Sequence, residues 1–134
     1  MTDLQRVDIQ ELLADQPPRV NFNIFLVDNR FALRVAKVRG TFPRHVHPRH
    51  DEAWLVFRGA IRIETDAGNT ELRSGQASRI PGGTVHRTVA LEPDSLVLIL
   101  NAVEFETEYL DGDTDQSAGY TEIDLVQKPL AHGE

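Results

Sequence analysis

The chain has 134 residues, 40% of them hydrophobic, which is near the commonest size of a single domain and enough to bury a sizeable core. Fourteen basic residues against twenty-one acidic ones give a formal charge of −7, which disfavours nucleic acid and anionic membrane as main partners. The absence of cysteine removes disulfides, thiolate nucleophiles, iron–sulfur clusters and cysteine-rich zinc sites; no apolar run of membrane-spanning length and no secretory leader is read, so a cytoplasmic location is expected.

From the N-terminus, Asp8 followed three residues later by Glu11 resembles a capping box and predicts a short peripheral helix from Ile9 to Ala14, stopped by Pro17-Pro18. Val20 to Val27 and Phe31 to Val38 read as a hairpin around the turn pair Asp28-Asn29. His45 and His47 are two apart, so on a strand both imidazoles leave one face while Val46 leaves the other. Glu52 opens an alternating segment in which Glu52, Trp54 and Val56 share one face and Ala53, Leu55 and Phe57 the other. Ala60 to Thr65 and Thr70 to Arg73 form a second hairpin about Asp66–Asn69. His86 starts a strand after Pro81-Gly82-Gly83, with Thr88 and Ala90 on its face. Leu96 to Leu100 is apolar throughout, as for a strand buried on both faces at the centre of a sheet. Asp111 to Gly119 reads as an acidic surface loop before a strand from Tyr120 to Val126. Many short strands separated by Gly, Pro and Asp turns predict an all-β antiparallel sandwich or barrel.

If the strands bearing His45, His47, Glu52 and His86 return to one face, three imidazoles and a carboxylate meet. That donor set suits a first-row divalent ion, Fe, Mn, Ni, Co or Zn, without choosing among them. Trp54, Val56 and Thr88 are then expected to line the pocket beside it. Arg34, Arg58, Arg79 and Arg87 are candidate anchors for a carboxylate or phosphate. His50 breaks the alternation and is read as a turn residue on the surface or behind the ligands, and His132 as uninvolved. No serine–histidine–acid triad, phosphate loop or dinucleotide fingerprint competes with this constellation.

These residues fall into two motifs. The first is Gly40, His45, His47, Glu52 and Gly59, with four residues between His47 and Glu52 and six between Glu52 and Gly59. The second is Gly75, Pro81, Gly83 and His86, with five residues from Gly75 to Pro81 and two from Gly83 to His86. Over roughly residues 30 to 105 the chain thereby resembles the cupin superfamily, and within it the small single-domain cupins similar to mannose-6-phosphate isomerases. It departs in having four residues between Gly40 and His45 where five are usual, and Ala90 where many members have asparagine. The resemblance implies a single domain over residues 1–134: a double-stranded β-helix, or jelly-roll, barrel with a short N-terminal helix, its core over about 20–105 and a C-terminal extension over 106–134. It implies a metal held by His45, His47, Glu52 and His86, with Glu52 also the catalytic group. A homodimer is expected, because Leu55 and Phe57 point outward and need cover from a second subunit or from the N-terminal arm. The expected function is a metal-dependent enzyme acting on a small organic acid or sugar derivative, of dioxygenase or isomerase/lyase type. The alternative is a non-catalytic, metal-containing module that binds or senses a small molecule.

Overall fold

The structure, a computed structural model, describes residues 4–110 and 121–124. Helix α1 (Ile9–Ala14) begins as the capping residues require, with the Asp8 carboxylate accepting the Glu11 amide at 2.9 Å. Two strands follow, β1 (Val20–Val27) and β2 (Phe31–Val38), and their hairpin closes through Asp28 and Asn29 at φ 57° and 55°. Two successive left-handed residues make the turn whose twist matches the strands, which is why Asp and Asn stand there. Next come β3 (His45–Val46), β4 (Glu52–Arg58), β5 (Ala60–Thr65), β6 (Gly68–Arg73), β7 (Ala77–Ile80), β8 (His86–Ala90), β9 (Ser95–Ala102), β10 (Glu108–Tyr109) and β11 (Thr121–Asp124).

The strands form two sheets, one in the order β11-β1-β2-β9-β4-β7 and the other in the order β10-β3-β8-β5-β6. Between them lies an apolar interior of Ala36, Val38, Val56, Ile61, Ile63, Leu72, Ile80, Val97 and Ile99, which gives the expected all-β jelly roll. Gly59 alone joins β4 of one sheet to β5 of the other. It sits at φ +89°, and a Cβ there would lie 2.2 Å from Ser95 Oγ, the oxygen that accepts the Ala60 amide. Only glycine satisfies both constraints.

The central position expected for Leu96–Leu100 is found, with β9 lying between β2 and β4. Cover on its outer face is incomplete: Leu13 of α1 packs with Val20, Phe22, Ile24, Val35 and Leu96, while Leu100 remains 44% exposed. Phe57 is partly buried against the apolar cluster that also holds Leu13 of α1 and Leu96, and Leu55 is half-buried. Val56 was expected on the pocket wall; it is instead fully buried in the apolar interior, because four residues of strand carry it ~13 Å along the barrel from Glu52. β3 is shorter than the His45–His47 alternation suggests, since Pro48 has no N–H to continue a ladder. β11 falls within the expected Tyr120–Val126 strand and pairs in parallel with β1; positions 120, 125 and 126 lie outside the described residues, as do Asp111–Gly119 and His132. No helix among the described residues is long and apolar enough to cross a membrane.

Candidate metal centre

Strand pairing brings the two motifs together. His45 of β3 faces His86 of β8 across one antiparallel pair, and Glu52 at the start of β4 approaches from the opposite sheet. His45, His47, Glu52 and His86 are all buried, and one ligand atom from each lies within 4.8 Å of the others. His47 Nε2 stands 3.3 Å and His86 Nε2 3.4 Å from Glu52 Oε1. Glu52 Oε1 and His86 Nε2 are nonetheless buried without a hydrogen-bond partner. Two unpaired buried polar atoms converging on one point are what a cation between them would satisfy, and imidazole nitrogen with carboxylate oxygen is the donor chemistry of a first-row divalent ion.

The far sides of the rings are tied down. His45 Nδ1–H donates to Pro43 O at 2.7 Å and His86 Nδ1–H to Thr84 O at 2.9 Å, while His47 Nδ1 lies 3.1 Å from Glu106 O and 3.1 Å from Thr107 Oγ1. A carbonyl only accepts, so each Nδ1 carries the hydrogen and each neutral ring offers its Nε2 lone pair inward. Burial and the neighbouring His86 push His45 down to about 4. Burial also opposes a charge on His47, but the close contact with Glu52 outweighs it and lifts that imidazole above its ordinary 6.5. Burial alone would raise Glu52; the contacts with His47 and His86 hold it below the usual carboxylate range instead. The contact thus favours an ionised Glu52 and raises the affinity of His47 for a proton, with which a metal would compete.

The other oxygen of Glu52 is held by a polar ladder running across five adjacent strands. Asn101 Nδ2 donates to Glu52 Oε2 at 3.1 Å; Arg34 Nε donates to Asn101 Oδ1 at 2.7 Å; Arg34 Nη1 donates to Asn23 Oδ1; Asn23 Nδ2 donates to Asp124. Glu52, Asn101, Arg34, Asn23 and Asp124 lie on β4, β9, β2, β1 and β11 in that order. Because a guanidinium only donates, it fixes both amides with oxygen inward and –NH₂ outward, each towards a carboxylate. Oε2 of Glu52 is thereby occupied, leaving Oε1 to the imidazoles.

Above the four residues opens a cavity of ≈ 390 Å³, walled by Trp54, Thr88, Phe42, Ile99, Phe105 and Arg34 among others. Trp54 and Thr88 stand where the alternation put them. Of the four candidate arginines only Arg34 reaches the cavity: Arg79 pairs with Asp51 at 3.0 Å, Arg87 pairs with Glu64, and Arg58 is exposed. His50 lies outside the cluster, half-buried in the turn before Glu52. Asn101 and Phe105 were not singled out from the sequence. The one available signal for Asn101 was a polar residue closing the apolar run Leu96–Leu100.

A family model described as the cupin domain matches residues 33–101. Among curated proteins, the uncharacterized protein YdbB of Bacillus subtilis (strain 168) is 38% identical over 69 residues, a match that spans 51% of this chain and 60% of YdbB. Among solved structures, a cupin-2 domain containing protein from Shewanella frigidimarina NCIMB 400 aligns with a TM-score of 0.61 at 23% identity, covering 72% of this chain and 90% of that one. KdgF from Halomonas sp. aligns with a TM-score of 0.54 at 32% identity, covering 60% and 77% respectively.

Proposed function

Because the chain belongs to the cupin domain family, and because three imidazoles and Glu52 converge inside its barrel, we propose that it binds one divalent metal ion through His45, His47, Glu52 and His86 and acts as a metal-dependent enzyme on a small organic acid or sugar derivative. The convergence of four ligand atoms within 4.8 Å, at the foot of a cavity, carries this reading. A bound divalent ion would polarise a carbonyl or activate a water, or hold an oxygen-bearing substrate beside a second ligand. The chain's own residues supply the rest. Carbonyl-tethered imidazoles keep their Nε2 atoms aimed at one point, and Glu52 contributes a negative charge through Oε1 while Asn101 restrains Oε2. Phe42, Trp54 and Phe105 give the cavity aromatic walls.

The test begins with metal analysis of freshly purified protein and of the His47→Ala/His86→Ala double variant. Stoichiometric metal in the wild type and its loss in the variant are expected; full retention by the variant would overturn the assignment. Anaerobic reconstitution with Fe(II), Mn(II), Ni(II) or Zn(II), followed by an oxygen electrode and mass spectrometry over hydroxy acids, catechols, diketones and sugar phosphates, reads turnover. Tight binding of a panel member with no conversion by any metal form would make the protein a binding module instead.

A further inference from the structure

The cavity walls hold more information about charge than the metal ligands do. Arg34 is the only lysine or arginine among the described residues that line it. It is 7% exposed, and four of its five N–H groups are engaged: Nε by Asn101, Nη1 by Asn23, and Nη2 by Ala102 O and Val103 O at 3.3 Å each. One N–H remains, whereas a fork-on-fork grip on a carboxylate or phosphate takes two in parallel. Three carboxylates, Glu122, Asp124 and Glu52, act on that guanidinium, and Glu122 itself lines the cavity. A divalent ion together with Arg34 would balance those three charges and leave no surplus for a second anionic charge on a ligand. The remaining walls are largely apolar or aromatic, with Ala36, Val38, Phe42, Trp54, Ile99 and Phe105 among them. Phe105 stands edge-on to His47 at 5.0 Å between centroids and lies 5.4 Å from the Arg34 guanidinium carbon, so one rim of the cavity is an aromatic face beside the metal ligands.

We infer that the molecule taken here is a compact, largely apolar ring or short-chain compound, neutral or singly charged, that reaches the metal through one or two oxygens, and that phosphate esters are rejected. This rests on the metal reading above and decides between its organic acids and its sugar phosphates in favour of the former. The physical reason is desolvation: a dianion loses its hydration on entry and finds a cation already committed to the ladder.

Trp54 is the sole tryptophan of the chain and lies on the cavity wall, so its fluorescence reports occupancy directly. Metal-reconstituted protein is titrated with benzoate, catechol, glucose 6-phosphate and inorganic phosphate, with calorimetry as the second readout and metal content measured on the same sample. Benzoate or catechol should bind at least ~10-fold more tightly than glucose 6-phosphate, the factor that about one charge-assisted hydrogen bond represents. Phe105→Ala, at a position already 37% exposed, should weaken the ring compounds and leave the phosphates unchanged. Equal or tighter binding of glucose 6-phosphate overturns the inference, as does a metal-loaded protein that binds neither ring compound. A sample that takes up no metal refutes the metal reading instead, and the order of affinities measured on it then decides the charge preference separately.

Discussion

Replacing Asn101 tests whether the ladder positions Glu52. Asn101 is 5% exposed and joins two charged groups, giving a hydrogen to Glu52 Oε2 and taking one from Arg34 Nε. Asn101→Ala leaves both atoms buried without partners. At about 1–3 kcal/mol for each unsatisfied group, the loss of folding stability is about 2–6 kcal/mol, or roughly 10–20 °C in Tm for a domain of this size. Freed of its restraint, Glu52 should cost the protein ~10- to 100-fold in metal affinity, the usual effect of removing a partner that orients a ligand. Asn101→Asp is the sharper variant, because it keeps the acceptor for Arg34 and the side-chain shape but places an oxygen against Glu52 Oε2 where an –NH₂ stood. The sign of the pH response then reverses. In metal-free wild-type protein Glu52 titrates below its unfolded value, so its contribution is present above pH ~4.3 and is lost as pH falls. In the variant two carboxylates ~3 Å apart retain a proton above the unfolded range, so the folded state binds more protons than the unfolded one and stability declines as pH rises from about 4 towards 7. Urea melts of both metal-free proteins across pH 4 to 7, with metal titrations at pH 7.5, provide the comparison. Parallel stability profiles, or wild-type metal affinity in both variants, would sink the positioning argument.

Two further outcomes are expected. Since His47 is lifted above 6.5 by its contact with Glu52 while His45 stays neutral down to about 4, the proton that competes with the metal near neutrality belongs to His47; the apparent dissociation constant should rise about tenfold per pH unit below the His47 pKa, and affinity unchanged between pH 8 and 5.5 in a metal titration contradicts this. Gly59→Ala and Gly75→Ala place the same methyl at φ +89° and +87°, but only at Gly59 does it meet Ser95, at 2.2 Å from Oγ; thermal unfolding should show a loss of about 1 kcal/mol for Gly75 and at least twice that for Gly59, and equal losses would mean that the contact is readily relieved.

Local signals carried most of the architecture. The Asp8 cap, the Asp28-Asn29 turn and the alternation from Glu52 to Phe57 are written within a few consecutive residues, and each predicts an element that forms where expected. The four clustered side chains were legible because two short motifs encode them. Partners set by register between distant strands were not legible. Arg34 meets Asn101 across 67 positions and Glu52 meets Asn101 across 49, and nothing local marks either pair. Arg34 consequently looked no different from Arg58, Arg79 or Arg87. The misplacement of Val56 has a related cause: alternation tells which face a residue takes but not how deep along the barrel it lies, and depth separates the cavity wall from the apolar interior. Phe57 packs against a cluster drawn from α1, β1, β2 and β9, about which the period-two pattern of β4 says nothing.

The tethers on the three imidazoles differ in how far along the chain they reach. His45 and His86 each bind a carbonyl two residues upstream, whereas His47 depends on Glu106 and Thr107, about sixty positions later. A contact spanning two residues closes almost no loop, so two rings are oriented as soon as β3 and β8 pair. The third is oriented only after the chain beyond β9 has docked. Two ligands of the centre therefore depend on contacts local to their own strands, and the third depends on the segment after β9, so a change at Glu106 or Thr107 would reach the centre through His47 and leave the tethers of His45 and His86 in place.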